Sequence, residues 1–174
     1  MKPARTKYLV VLFVILFCSV STAQDTIIIK LVVNPKTIDR TDLNASCRFE
    51  ATHSNPKFST ISNDGDLEDF HIVAKVGDII EWVGESEQGN CDIIDVKKIK
   101  RENKTEIFNS KSQKGKRVAA TRNKVVSRKI LSDTEKKVDY KYTLKFKVNE
   151  ILRAYKIDPK IKVGSAKGMI EFWN

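Results

Sequence analysis

The chain is predicted to fold as an all-β Greek-key sandwich of about seven or eight strands. Three observations carry that expectation. From Tyr140 to Val148, the residues Tyr140, Tyr142, Leu144, Phe146 and Val148 alternate with Lys141, Thr143, Lys145 and Lys147. Successive side chains of a strand point to opposite faces, so this segment offers one face to a core and the other to water. In Val76–Gly84, the pair Gly77-Asp78 supplies a turn, because Gly accepts positive φ and Asp can bond its own downstream backbone. Ile80 and Trp82 then share one face, with Glu81 and Val83 on the other. The remaining apolar residues come in short runs between turn signals, without a sustained helical period.

The leader comes first. Lys2, Arg5 and Lys7 precede the apolar run Tyr8 to Phe17, and Ser21-Thr22-Ala23 offers a small-x-small cleavage site. This is the pattern of a secretory signal peptide, residues 1–23, whose apolar run is too short to span a bilayer. Cleavage after Ala23 would leave Gln24–Asn174 as a single secreted or periplasmic domain with no transmembrane anchor. Cys18 follows the bulky Phe17, which argues against a lipid-attachment site.

In the mature part, Asp25–Asn34 is dense in β-branched residues and should form the first strand. Pro35–Asp66 loses the apolar period and reads as a long connection pinned by Cys47, one that hides a short element or serves a function. Phe70, Ile72, Ala74 and Val76 alternate up to the Gly77-Asp78 turn, which places His71 on the solvent side. Beyond Cys91, the residues Ile93, Ile94, Val96 and Ile99 read as a strand, and Thr105–Phe108 as another after a polar turn. Ser132-Asp133-Thr134-Glu135 has the form of a helix capping box, but the strict period of two after it overrides the cap. Asp158-Pro159 marks a strand start or an edge. Met169–Trp173 is compatible with a last strand or an exposed tail.

Removing the leader takes away three of the 32 Lys and Arg and none of the 22 Asp and Glu, leaving a net charge of +7. Such a charge favours anionic partners without selecting one. Anionic polysaccharide, a lipid surface or an acidic protein fit an exported protein, whereas nucleic acid does not. The strongest bias lies in Asn109–Ser132, which contains Lys111, Lys114, Lys116, Arg117, Arg122, Lys124, Arg128 and Lys129 and no acidic residue. Lysines commonly block edge strands against sheet-to-sheet association, and the same residues could form an anion-binding arm. No aromatic side chain interleaves them to stack on single-stranded nucleic acid.

Cys47 and Cys91 are the two cysteines left in the mature chain, and an oxidising location makes a Cys47–Cys91 disulfide the expected state. Closing that loop would stabilise the fold by about 4 kcal/mol in the chain-entropy picture. A free buried thiol or a metal ligand are the competing roles.

With these elements in place, Val76–Val96, Tyr140–Leu144 and Asp158–Val163 together resemble the cupredoxins, the blue-copper family. The resemblance implies a Greek-key sandwich and, in its functional members, a copper centre built from two imidazoles, a thiolate and a weak axial ligand. Carried onto this chain, those positions fall near Asn90, Leu144, Lys147 and Ile157. None supplies the required donor. No cofactor is therefore expected, and an electron-transfer protein with an altered copper site is the alternative. His53 and His71 sit in dissimilar settings, and there is no nucleotide cradle, zinc motif or nucleophile with a base, so an enzyme is not expected. The acidic group Asp64, Asp66, Glu68 and Asp69 reads as a solvated loop.

Overall fold

A computed structural model describes residues 24–63, 65–89, 93–119, 122–134, 138–149, 153–164 and 166–173. The expected leader, residues 1–23, lies outside them. Backbone pairing sorts the chain into the strands Thr26–Val33 (β1), Cys47–His53 (β2), Ile61–Ser62 (β3), His71–Ala74 (β4), Ile79–Ser86 (β5) and Ile94–Arg101 (β6). Ser112–Lys114 (β7), Lys116–Arg117 (β8), Lys124–Lys129 (β9), Tyr140–Val148 (β10), Tyr155–Ile157 (β11) and Lys160–Val163 (β12) follow, with a closing helix, Ala166–Trp173 (α1). The all-β expectation holds. Twelve strands among the described residues exceed the expected seven or eight because β3, β7, β8 and β11 are only two or three residues long.

The strands form two sheets, ordered β3-β2-β1-β5-β9-β8 and β4-β12-β10-β6-β7, with β11 also pairing β10. Most neighbours are antiparallel, but β1 pairs β5 and β12 pairs β4 in parallel. A parallel pair cannot be closed by a hairpin, so the chain must cross over between its members. The Gly77-Asp78 turn is one such crossing, taking the chain from β4 in the second sheet to β5 in the first. Gly77 has a φ of 101°, a conformation that penalises any side chain. Asp78 is fully buried, and its carboxylate accepts the Lys75 N–H at 3.0 Å. Burial pushes its pKa up to about 6, against the opposing pull of that bond and of the Lys75 ammonium. The backbone around the turn is tied to Ile130 in both directions, Gly77 N–H to the Ile130 carbonyl and Ile130 N–H to the Asp78 carbonyl.

Asp158-Pro159 has the effect expected of it. β11 and β12 lie along the same side of β10, with Ile157 opposite Leu144 and Ile161 opposite Tyr140. Proline carries no N–H, and the ladder breaks there into two short strands.

Ile80, Trp82, Tyr142, Leu144 and Phe146 share one core, none more than 1% exposed. Trp82 of the first sheet donates its indole N–H to the hydroxyl of Tyr142 in the second at 3.0 Å, and the two rings meet edge to face at 5.6 Å. This bond crosses the sandwich and satisfies a donor that would be costly to bury alone.

The long connection does hide strand structure: β2, in which Cys47, Phe49, Ala51 and His53 point inward in strict alternation, and the short β3 beside it. Two expectations need correction. Thr105–Phe108 is not a strand: Ile107 and Phe108 are buried as a plug, and Thr105 donates its hydroxyl to the Val138 carbonyl at 2.6 Å. Met169–Trp173 is neither strand nor exposed tail but part of α1. Met169 and Trp173, four residues apart, lie on one helical face and are both buried. The Trp173 indole donates to the Val73 carbonyl at 2.8 Å. Among the described residues no helix is long and apolar enough to cross a membrane.

Candidate functional site

The basic segment is spread over both sheets. β7 is the edge of the second sheet and β8 the edge of the first, so residues 111–119 and 122–129 form the shared rim where the chain switches layers. Gly115 makes the switch possible: its N–H bonds the Lys97 carbonyl, and a Cβ there would sit 1.9 Å from the Val96 carbonyl oxygen. Edge lysines are what the sequence suggested for such a rim, and Lys114, Lys116 and Lys129 are exposed on it.

The eight cations do not share one face. Lys111 and Arg122 are exposed at turns, Arg122 with a φ of 60°. Arg117 donates to the Arg122 carbonyl at 2.6 Å and lies 3.8 Å from the Asp95 carboxylate. Lys124 presents its backbone N–H to that same carboxylate at 2.8 Å. Asp95 is thereby a nearly buried acid ringed by cations. The Lys97 ammonium beside it is held below its ordinary pKa, chiefly by its contact with Lys124, with burial and the charge of Lys147 adding.

Arg128 departs most from the picture of an arm. It pairs with Ile80, a core residue, so its side chain starts between the sheets and not on the outer surface. Its Nε donates to the buried Gln113 of the opposite sheet, and a second nitrogen donates to the Ser127 carbonyl at 2.9 Å. Gln113 is in turn fixed by the Ser110 carbonyl at 2.9 Å. These residues line an open cleft of about 740 Å3, together with Gln24, Asn109, Ser112 and Lys129. A positioned guanidinium, an ammonium and several hydroxyl and amide groups can receive an anion there.

Among the described residues Cys47 is a free, buried thiol, and its side chain joins the apolar cluster with Phe49 and Ala51. Its expected partner Cys91 lies outside the described residues. Burial pushes the Cys47 thiol up to about 12, which suppresses the reactive thiolate. Iodoacetamide should therefore leave Cys47 unmodified in the native protein and label it after denaturation, as read by mass spectrometry. Native labelling as fast as that of a free thiol would contradict this placement.

The positions that the cupredoxin resemblance assigns to copper are occupied differently. Leu144 and Ile157 are buried and pair in register, Lys147 pairs with Asp95, and Asn90 lies outside the described residues. Among the described residues no group of three or more His, Cys, Asp or Glu side chains is placed to hold a metal ion. In the acidic loop, Asp66 accepts the Glu68 N–H at 2.9 Å and Asp69 lies 3.6 Å from Lys160, while Asp64 lies outside the described residues. His71 is exposed, as its strand position required.

Sequence reading confined the cations of interest to one run and passed over those of β6 and β10. The outward alternation of β10 already named Lys145 and Lys147, but which lysines stand beside them depends on strand pairing that is not local.

No family model matches the chain, and no curated protein matches it. Among solved structures its fold is similar to that of the inclusion body protein PixA from Burkholderia cenocepacia J2315, with a TM-score of 0.55 at 10% identity, covering 83% of this chain and 98% of that one. At that identity the likeness is one of fold.

Proposed function

We propose that the protein acts outside the cytoplasm as a non-catalytic binding module whose basic rim meets an anionic polymer or surface. The observation that carries this reading is the unneutralised charge of the rim. Of Lys111, Lys114, Lys116, Arg117, Arg122, Lys124, Arg128 and Lys129, only Arg117 has an ion-pair partner among the described residues. The leader pattern supports export. A Greek-key connectivity of the kind shared by the cupredoxins belongs to the same reading, supported by repeated crossings between sheets and by the two parallel strand pairs.

Attraction of this kind is Coulombic and fades beyond about 8 Å at physiological salt. The mature protein should bind beads carrying acidic polysaccharide at low salt and lose that binding steeply as salt rises. A variant with Lys114, Lys116, Arg117 and Arg122 replaced by Ser should bind at least about tenfold more weakly. Equal binding by both proteins, or none by either, would remove the rim from consideration and leave the lysines as guards of two sheet edges.

A further inference from the structure

The register of the second sheet aligns four lysines that are far apart in sequence. Lys156 of β11 stands opposite Lys145 of β10, Lys145 opposite Lys98 of β6, and Lys98 opposite Lys114 of β7. Residues directly opposite each other in a sheet project to the same face. Lys145 alternates with the core residues Leu144 and Phe146, so this face is the outer one. Strands lie about 4.8 Å apart, and the row therefore runs across the sheet for about 14 Å.

Like charges placed directly opposite each other cost stability, and here three such pairs follow in succession. None of the four lysines has a carboxylate partner among the described residues. Edge protection accounts for Lys114, which lies on an edge strand. It does not account for Lys98 and Lys145, because β6 and β10 are interior strands whose backbone groups are already paired on both sides. Solubility does not require the row either, since alternating charges would serve it without the repulsion.

We propose that this row is a track for a linear polyanion, such as a polyuronate or a sulfated polysaccharide, lying across the strands. The inference rests on the anion-binding reading above and moves its centre from the rim to the outer face of the second sheet. The surroundings favour a chain over a membrane. On one side of the row Glu102 accepts the Thr143 hydroxyl at 2.6 Å and pairs with Lys100; on the other Asp95 pairs in register with Lys147. Each of these acids is offset by cations of its own, so neither cancels the charge of the row. None of the exposed large apolar side chains among the described residues belongs to β6, β7, β10 or β11, so the face offers nothing to insert into a bilayer.

Two variants of equal charge separate the row from the rim: K98Q/K145Q/K156Q, and K116Q/R122Q/K129Q. Binding to polygalacturonate and to chondroitin sulfate is measured by calorimetry over a salt series, alongside vesicles of phosphatidylglycerol and phosphatidylcholine. The row variant should lose about tenfold or more in affinity and should flatten the salt dependence by about one unit of log–log slope per lysine removed. The rim variant should lose clearly less. Oligogalacturonates should gain affinity with length until they span about 14 Å and then level off. K98R/K145R/K156R should keep the binding, and the row variant should melt no lower than the parent because repulsion has been relieved. Equal losses in the two triple variants would overturn the track while leaving the general anion-binding reading in place. Absence of binding by the parent protein at low salt would overturn both, and tighter binding to the vesicles than to either polysaccharide would overturn the track in favour of a lipid surface.

Discussion

Trp82→Ala is expected to lower the unfolding free energy by about 3–5 kcal/mol, the range for emptying a large aromatic side chain from a packed core. Trp82 is fully buried, contacts Tyr142 and Phe108 edge to face, and supplies a polar link between the sheets. The two contributions can be separated. Tyr142→Phe keeps the ring and removes the acceptor, leaving the Trp82 N–H buried without a partner, at a cost of about 1–3 kcal/mol. Trp82→Phe combined with Tyr142→Phe removes both polar groups, so its cost should fall short of the sum of the single substitutions. Urea denaturation followed by circular dichroism measures all of these. If Tyr142→Phe proved as stable as the parent, the hydrogen bond would not hold the sheets together.

The parts of the fold that were legible are those fixed by local pattern. The alternation of β10 gives its inward face residue by residue, and Gly77-Asp78 marks a corner because its backbone requirement is met by few other residue pairs. β2 was harder to see because its inward positions Cys47, Phe49, Ala51 and His53 mix one strong strand former with three weak signals, within a segment rich in Asn, Asp and Ser. Thr105–Phe108 erred the other way: its apolar residues are buried, but as a loop whose polar groups find partners outside any ladder. The candidate site was least legible. Eight cations adjacent in sequence are divided between two sheets by the close passage of Gly115, while Lys98, Lys145 and Lys156 reach the same face as Lys114 only through pairing over long separations. Composition reports how much charge a segment carries. Register decides where that charge collects.

α1 is too short to be stable alone, so its presence depends on what it packs against, and Trp173 is the residue that anchors it. Trp173→Ala is expected to cost about 3–5 kcal/mol through lost burial, together with the loss of its bond to the Val73 carbonyl. The change should also reach a histidine. The His53 ring lies 5.4 Å from Trp173 and 4.5 Å from Phe58, with Nδ1 accepting the Asn55 N–H at 3.0 Å and Nε2 buried without a partner among the described residues. Burial, the largest cause, holds its pKa below the ordinary 6.5, with Lys75 adding to that and Asp25 opposing it. A histidine depressed in the folded state contributes stability that is full above its unfolded pKa and is lost as pH falls through the folded one. Acidification below about 6.5 should therefore weaken the parent protein. In Trp173→Ala, water reaches the ring, the folded pKa should rise toward the unfolded value, and this part of the pH dependence should shrink. Proton NMR titration of His53 in both proteins, with melting temperatures across the same pH range, tests the linkage. An unchanged His53 pKa alongside an unchanged melting temperature would mean that α1 is not docked on β4 through Trp173.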